Sequence, residues 1–215
     1  MLSVSDSFFA LPPSPPAPAG RYPFHVRGSV YVRDLECYRT TLTADQLARV
    51  LSSLPDPSYP PFLSQAFVAT HWYDLLPLLY LRTAVAKVRG VPAATVVREV
   101  MAHQLRHSQG GVTGILLKEV SASSVAAWVP RVSESHYDFG RVETSVIGPS
   151  QVRCVRFGVP RPVVRFWSMA ISVFIEAALL QAGAKAPRLR YLEATSQGED
   201  RGHEVFTVPY ELTWG

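Results

Sequence analysis

The stretch VVRFWSMAISVFIEAALLQA, residues 163–182, is an almost unbroken apolar rod, and the way it is buried decides the fold. Its length is about that of a bilayer span. Arg165, Ser168, Ser172 and Glu176 nevertheless fall three and four residues apart, which draws one narrow polar stripe down a helix. Arg165 and Glu176 would be costly in lipid. The stretch therefore reads as a core helix from Pro162 to about Ala182, with no membrane span. It is buried on most sides, between a sheet and a second layer. That layer is either the N-terminal helices or the same helix of a second subunit.

On both flanks the apolar period changes to two. RVETSVIG (141–148) and QVRCVRFGV (151–159) alternate apolar and polar residues around a Gly-Pro-Ser link and read as an antiparallel pair. PRLRYLEATS (187–196) and HEVFTVPYELTW (203–214) make a second pair, with acidic GEDRG (198–202) as the hairpin loop between them. Upstream the signals are helical. LTADQLARVLSSL (42–54) carries a capping box, Thr43 with Gln46, and a Leu42–Leu47 staple, and it stops at Pro55 and Pro57. DLLPLLYLRTAVAKVR (74–89) has Asp74 as its cap, Pro77 in the first turn and Gly90 as its close. Pro92 opens PAATVVREVMAHQLRH (92–107), which Gly110 and Gly111 break. Two more helices are expected at 112–120 and 123–136, and HVRGSVYVRDLE (25–36) supplies a short strand or turn.

These elements predict an α+β fold: an N-terminal helical layer, then β-β-α-β-β, with the long central helix across a four-stranded antiparallel sheet. LPPSPPAPAG (11–20), with five prolines, reads as an extended solvated segment, the alternative being docking to a proline-reading partner. The expected organisation is a flexible leader over 1–23 and a single domain over 24–214, mainly helical to 140 and sheet from 141.

Composition excludes several classes. With 47% hydrophobic and 18% charged residues in a chain of 215, disorder is ruled out and one core is affordable. The net charge of +4 is mild, and no basic run is denser than Arg188-Leu189-Arg190, so no nucleic-acid partner is expected. Cys37 and Cys154 are too few for a disulfide framework, and MLSVSDSFFAL lacks a secretory pattern, which together suggest a reducing, cytoplasmic setting.

Candidate chemistry is sparse. His103 and His107 stand four apart on one helix face and are the pair to consider for haem or a metal. Gln104, where a zinc protease has Glu, breaks the metal motif, and no further ligand lies nearby in sequence. Ser133, His136 and Asp138 include the members of a hydrolase triad, but as neighbours, whereas a triad converges from separate elements. Gly110-Gly111-Val112-Thr113-Gly114 lacks the Lys-Ser/Thr of a phosphate loop. His71 and His136 are the weakest candidates, for a hydrolase or transferase. No catalytic residue and no metal site are expected. Trp72, Tyr73, Trp167, Phe174 and Trp214 are the candidates for a ligand pocket or an interface.

Four segments carry a resemblance across about Val26 to Trp214: HVRGSVYVR (25–33), HWYDLLPLLYLRTAVA (71–86), YDFG (137–140) and FTVPYELTW (206–214). The chain resembles a paralogous family of myxobacteria of unknown function. That family is similar to a ligand-binding superfamily holding haem nitric-oxide-binding domains, 4-vinyl-reductase-type domains and TRAPP subunits. The resemblance implies a helix crossing a twisted antiparallel sheet. Two departures stand out. The Tyr-x-Ser-x-Arg contact of the haem domains to haem propionates does not occur here, the closest string, Arg131 to Tyr137, being in the wrong order. The cysteines that 4-vinyl-reductase-type relatives carry in the last strand pair are absent too. The reading is thus a non-enzymatic domain binding a small apolar ligand or a protein partner, a homodimer through the long helix, with no cofactor. The alternative is a haem or small-molecule sensor using His103 or His107.

Overall fold

In the computed structural model, which describes residues 10–108, 121, 123, 124 and 133–215, Thr43 opens a helix as its capping box predicts. Its side chain accepts from Gln46 N at 3.2 Å, while Gln46 Oε1 accepts from Thr43 N at 3.0 Å. The chain forms two compact units. One holds Leu11–His103 with His136–Asp138, and the other holds 133–135 and Phe139–Gly215. The first of these units is mainly helical and the second carries the larger sheet.

In the first unit β1 (His25–Arg27) pairs antiparallel with β2 (Trp72–Asp74), and α1 (Gly28–Thr41), α2 (Ala44–Ser52), α3 (Tyr59–Leu63), α4 (Leu76–Arg89) and α5 (Ala93–Ser108) surround them. The strand expected near residue 25 is present, but a helix follows it at once. Val30, Tyr31, Asp34, Leu35, Cys37 and Tyr38 of α1 are buried at helical spacing, so burial overrides the β preference of Val-Tyr-Val. Asp74 ends β2 instead of starting α4. Its Oδ1 still accepts from Leu76 N at 2.8 Å, so it caps from one residue further out. Gly90 closes α4 in the left-handed region at φ 66°.

The segment expected as a solvated leader is seated. Tyr80 Oη donates to Pro12 O at 2.7 Å, Ala19 N donates to Ser58 Oγ at 2.8 Å, and Gly20 N donates to Asp74 Oδ2 at 2.8 Å. The Tyr80 hydroxyl gives the Pro12 carbonyl the donor that a solvated chain would find in water.

The second unit is an antiparallel sheet of five strands, not four, in the order β3 (Arg141–Gly148), β4 (Gln151–Pro160), β7 (His203–Thr213), β5 (Arg188–Tyr191), with β6 (Thr195–Asp200) on the far end of β7. The residues expected as a loop, Glu199 and Asp200, belong to β6 and pair with Glu204 and His203. The hairpin is therefore tighter than acidity suggested. Gly140 approaches β4 closely: at φ 72° it would place a Cβ 2.4 Å from Phe157 O.

The long helix α6 (Val164–Gln181) packs on this sheet. Residues 161–181 are long and apolar enough to cross a membrane by length and composition, yet 56% of that window is buried within the protein. Trp167 meets Tyr210 of β7 edge-on at 6.0 Å. Tyr191 Oη of β5 donates to the Ser168 backbone carbonyl at 2.7 Å and accepts from Ser172 Oγ of the polar stripe at 3.4 Å. The helices expected at 112–120 and 123–136 lie mostly outside the described residues, and the described end, Ser133–His136, is a 3₁₀ turn.

Candidate functional site

Helix α5 carries the residue of greatest interest, and the helices before it set its place. Gly90 ends α4, and Thr95 N donates to Pro92 O at 2.9 Å to start the next turn. Arg89 then forks onto Glu99, with Nη2 to Oε1 at 3.0 Å and a second, shorter bond from Nη1 to Oε2. That pair ties the end of α4 to the middle of α5, and it holds the Glu99 carboxyl below its ordinary value. Val96, Val97 and Val100 have no exposure and Met101 has little. His103 follows Val96 and Val100 at spacings of seven and three, so it continues the buried stripe. It is half-buried, and its Nε2 is shielded from solvent. His107 lies on the same helix, with its side chain outside the described residues.

Behind α5 the first unit is braced by polar groups that one-dimensional reading did not reveal. Arg82 of α4 and Asp34 of α1 form a fully buried, two-bonded pair. Burial pulls the guanidinium pKa down, but the charge and hydrogen bonds of Asp34 together outweigh it, so Arg82 stays charged. Tyr31 Oη donates to Asp74 O and accepts from Leu78 N at 3.1 Å, and burial pushes its pKa well up. Asp74 accepts backbone N–H bonds from Gly20, Tyr22 and Leu76; desolvation nevertheless outweighs these bonds and raises its pKa.

The aromatic candidates divide between the two units. Trp72 is 39% exposed on β2, with the Arg27 guanidinium 3.8 Å from its ring centre. Tyr73 is half-buried, and its hydroxyl accepts from Val68 N at 2.9 Å. These two belong to the first unit. Trp167, Phe174 and Trp214 belong to the second, Trp167 buried and the other two half-buried. Trp72, Tyr73 and Trp167 each have a partner within their own unit. His71 is exposed.

Asp138, a sequence neighbour of Ser133 and His136, has a partner 113 residues away. His25 Nδ1 is 2.7 Å from Asp138 Oδ2, and His25 N donates to Asp138 Oδ1 at 2.7 Å. With the Val26–Tyr137 bridge, this pair fastens residues 136–138 to β1. No local motif announces such a pair. Among the described residues no group of three or more His, Cys, Asp and Glu is placed to hold a metal.

No family model matches the chain, and no curated relative matches it. Solved structures do. An oxygen-binding H-NOX domain related to soluble guanylate cyclases is similar at TM-score 0.58 and 10% identity, over 87% of this chain and 94% of that one. A point mutant of the T. tengcongensis H-NOX gives 0.60 and 11%, over 87% and 97%. The Fe(II) unliganded H-NOX protein from K. algicida gives 0.57 and 8%, over 88% and 96%. The fold is the H-NOX fold. Other structures of this set were solved to probe haem distortion and its control of redox potential. Neighbours that carry haem on the same architecture overturn the expectation of a domain without a cofactor.

Proposed function

We propose that this chain is a non-enzymatic, haem-binding sensor domain in which His103 would hold the haem iron. The observation that carries the reading is the place of His103: on the H-NOX fold, at the end of the buried Val96–Val100 stripe of α5, with Nε2 out of water. An imidazole nitrogen shielded from water suits an iron ligand. When bound, haem supplies an iron that takes a diatomic gas such as oxygen or nitric oxide. The chain's own part is to hold the imidazole still, through the Arg89–Glu99 pair that fixes α5 and the Asp34–Arg82 pair behind it. The Tyr-x-Ser-x-Arg string of haem nitric-oxide-binding domains is absent, so any grip on the propionates uses other residues.

Such a domain works by passing ligand state to a protein partner, which we place in the cytoplasm, with homodimerisation as one route. The resemblance to a myxobacterial paralogous family supports a regulatory role and belongs to this proposal. Haem titration of the purified protein tests the central claim. A Soret band that saturates at one haem per chain is the expected result, and its absence under reducing and oxidising conditions would sink the reading.

A further inference from the structure

The segment Leu11–Gly20 meets the first unit through its carbonyls, and the residues that receive it form a defined seat. Five prolines leave this stretch with few N–H groups of its own but a full set of acceptors. Tyr80 Oη of α4 donates to Pro12 O at 2.7 Å, and Tyr59 Oη of α3 donates to Ala17 O at 3.3 Å. Ser58 Oγ takes the Ala19 N–H at 2.8 Å. The two tyrosine rings stand 5.6 Å apart, tilted by 50°, and beneath the segment they are 0% and 5% exposed. Neighbouring aromatic rings with hydroxyl donors are how proteins grip extended proline-rich peptides, whose conformation is set before binding. Gly20, exposed and at φ 79°, forms the base of the segment, and nothing stands within 4 Å of where its Cβ would be. Beyond it, Asp74 anchors the Gly20 and Tyr22 amides to the body.

We propose that Ser58, Tyr59 and Tyr80 form a receptor for an extended proline-rich segment, and that the segment it takes in trans is Leu11–Ala19 of a second copy of this chain. The occupant's chemistry is established by the one that sits there. Each copy carries one seat and one matching segment, so a two-fold exchange pivoting at Gly20 closes on itself and needs no new contact. Within one copy the segment competes at an effective concentration on the order of millimolar, so exchange emerges only in concentrated protein. This inference stands apart from the haem reading.

The receptor is tested with a labelled, capped peptide of sequence LPPSPPAPAG and the full chain in which residues 11–18 are replaced by Gly and Ser. Saturable binding is expected, at least about tenfold tighter than to the intact chain, whose own segment competes. Adding Tyr80→Phe weakens it about fivefold, the effect of one hydrogen bond. A replaced chain that melts cooperatively and binds no peptide up to about millimolar, the competing concentration, overturns the proposal. Should the replaced chain not fold, amide exchange on intact protein decides: Tyr80→Phe is expected to speed exchange at Ser14, Ala17 and Ala19, and unchanged rates overturn the receptor. The second copy is tested by light scattering of intact protein held near millimolar concentration. A slowly separating dimer, lost in the Tyr59→Phe/Tyr80→Phe chain, is expected. A monomer throughout, with peptide binding intact, overturns the assignment of the occupant.

Discussion

Arg82 grips Asp34 through two hydrogen bonds, Nε to Oδ2 at 2.7 Å and Nη2 to Oδ1 at 3.0 Å, and water reaches neither side chain appreciably. The pair joins α1 to α4. Removing one partner leaves an uncompensated buried charge, so Arg82→Leu is expected to cost about 3–5 kcal/mol in urea unfolding. The Asp34→Leu/Arg82→Leu chain should recover much of that loss, since two apolar side chains bury no charge. A double variant as unstable as the single one would show that the pair's value lies in its shape and not in charge balance.

The proposed haem ligation distinguishes the two histidines of α5. His103→Ala is expected to abolish the Soret band of the reconstituted chain, with His107→Ala leaving it in place. Added imidazole should restore a band to the His103→Ala protein, since a small ligand can then fill the vacated position. A band that survives His103→Ala and vanishes with His107→Ala would move the haem-holding role four residues along.

Glu211 of β7 lies between Arg153 of β4 and Arg190 of β5, in register with both, and accepts from each at 2.7 Å. Hydrogen bonds from Arg190 and then Arg153 hold its pKa below the ordinary 4.5. A carboxylate depressed in the folded state stabilises above its unfolded pKa and loses that contribution as pH falls through the folded value. Stability should therefore drop as the solution is acidified from about 4.5 downward, and Glu211→Gln should lose this part of the slope. High salt should shrink the effect, because both arginines are half or more exposed.

Gly28 begins α1 directly beneath the loop that precedes β2. A Cβ there would lie 2.1 Å from Val68 O and 2.7 Å from Tyr73 Cε2, and Gly28 N already donates to His71 O at 2.8 Å. Gly28→Ala is expected to destabilise by about 3 kcal/mol, near the upper end of ordinary overpacking, since the nearest obstacle is backbone. Thermal melting checks it, and a shift no larger than that of an exposed glycine such as Gly202 would contradict the packing.

Thr43→Ala removes one half of the capping box of α2, which the sequence alone predicts. A loss of about 1 kcal/mol in urea unfolding is expected, and the reciprocal bond from Gln46 should weaken with it.

Much of the fold was legible because it is written in short-range patterns. Thr43 with Gln46, Gly90, Pro92 and the period-two strands act within a few residues of themselves, so α2, α4, α5, β3, β4 and β7 fall where local rules place them. α1 was hidden, because Val30, Tyr31 and Val32 favour a strand locally and become helical through what they are buried against. The fifth strand was hidden for a related reason: Glu199 and Asp200 read as loop, and only pairing with β7 makes them strand. At the candidate site, His103 stood out as a residue type and a spacing. That it continues the Val96–Val100 stripe, with Nε2 out of water, is a property of packing.

By itself, then, the sequence determined an α+β chain, its capped helices, its alternating strands and the long apolar helix that covers the sheet. Each of these follows from periodicity and from backbone hydrogen bonds made within a few residues. The tertiary structure alone decided that Asp34 meets Arg82, that Asp138 meets His25, and that Tyr80 and Tyr59 hold the carbonyls of Pro12 and Ala17. Those pairs join residues 42 to 113 positions apart. Their energies depend on burial and on geometry between elements, which no local pattern encodes.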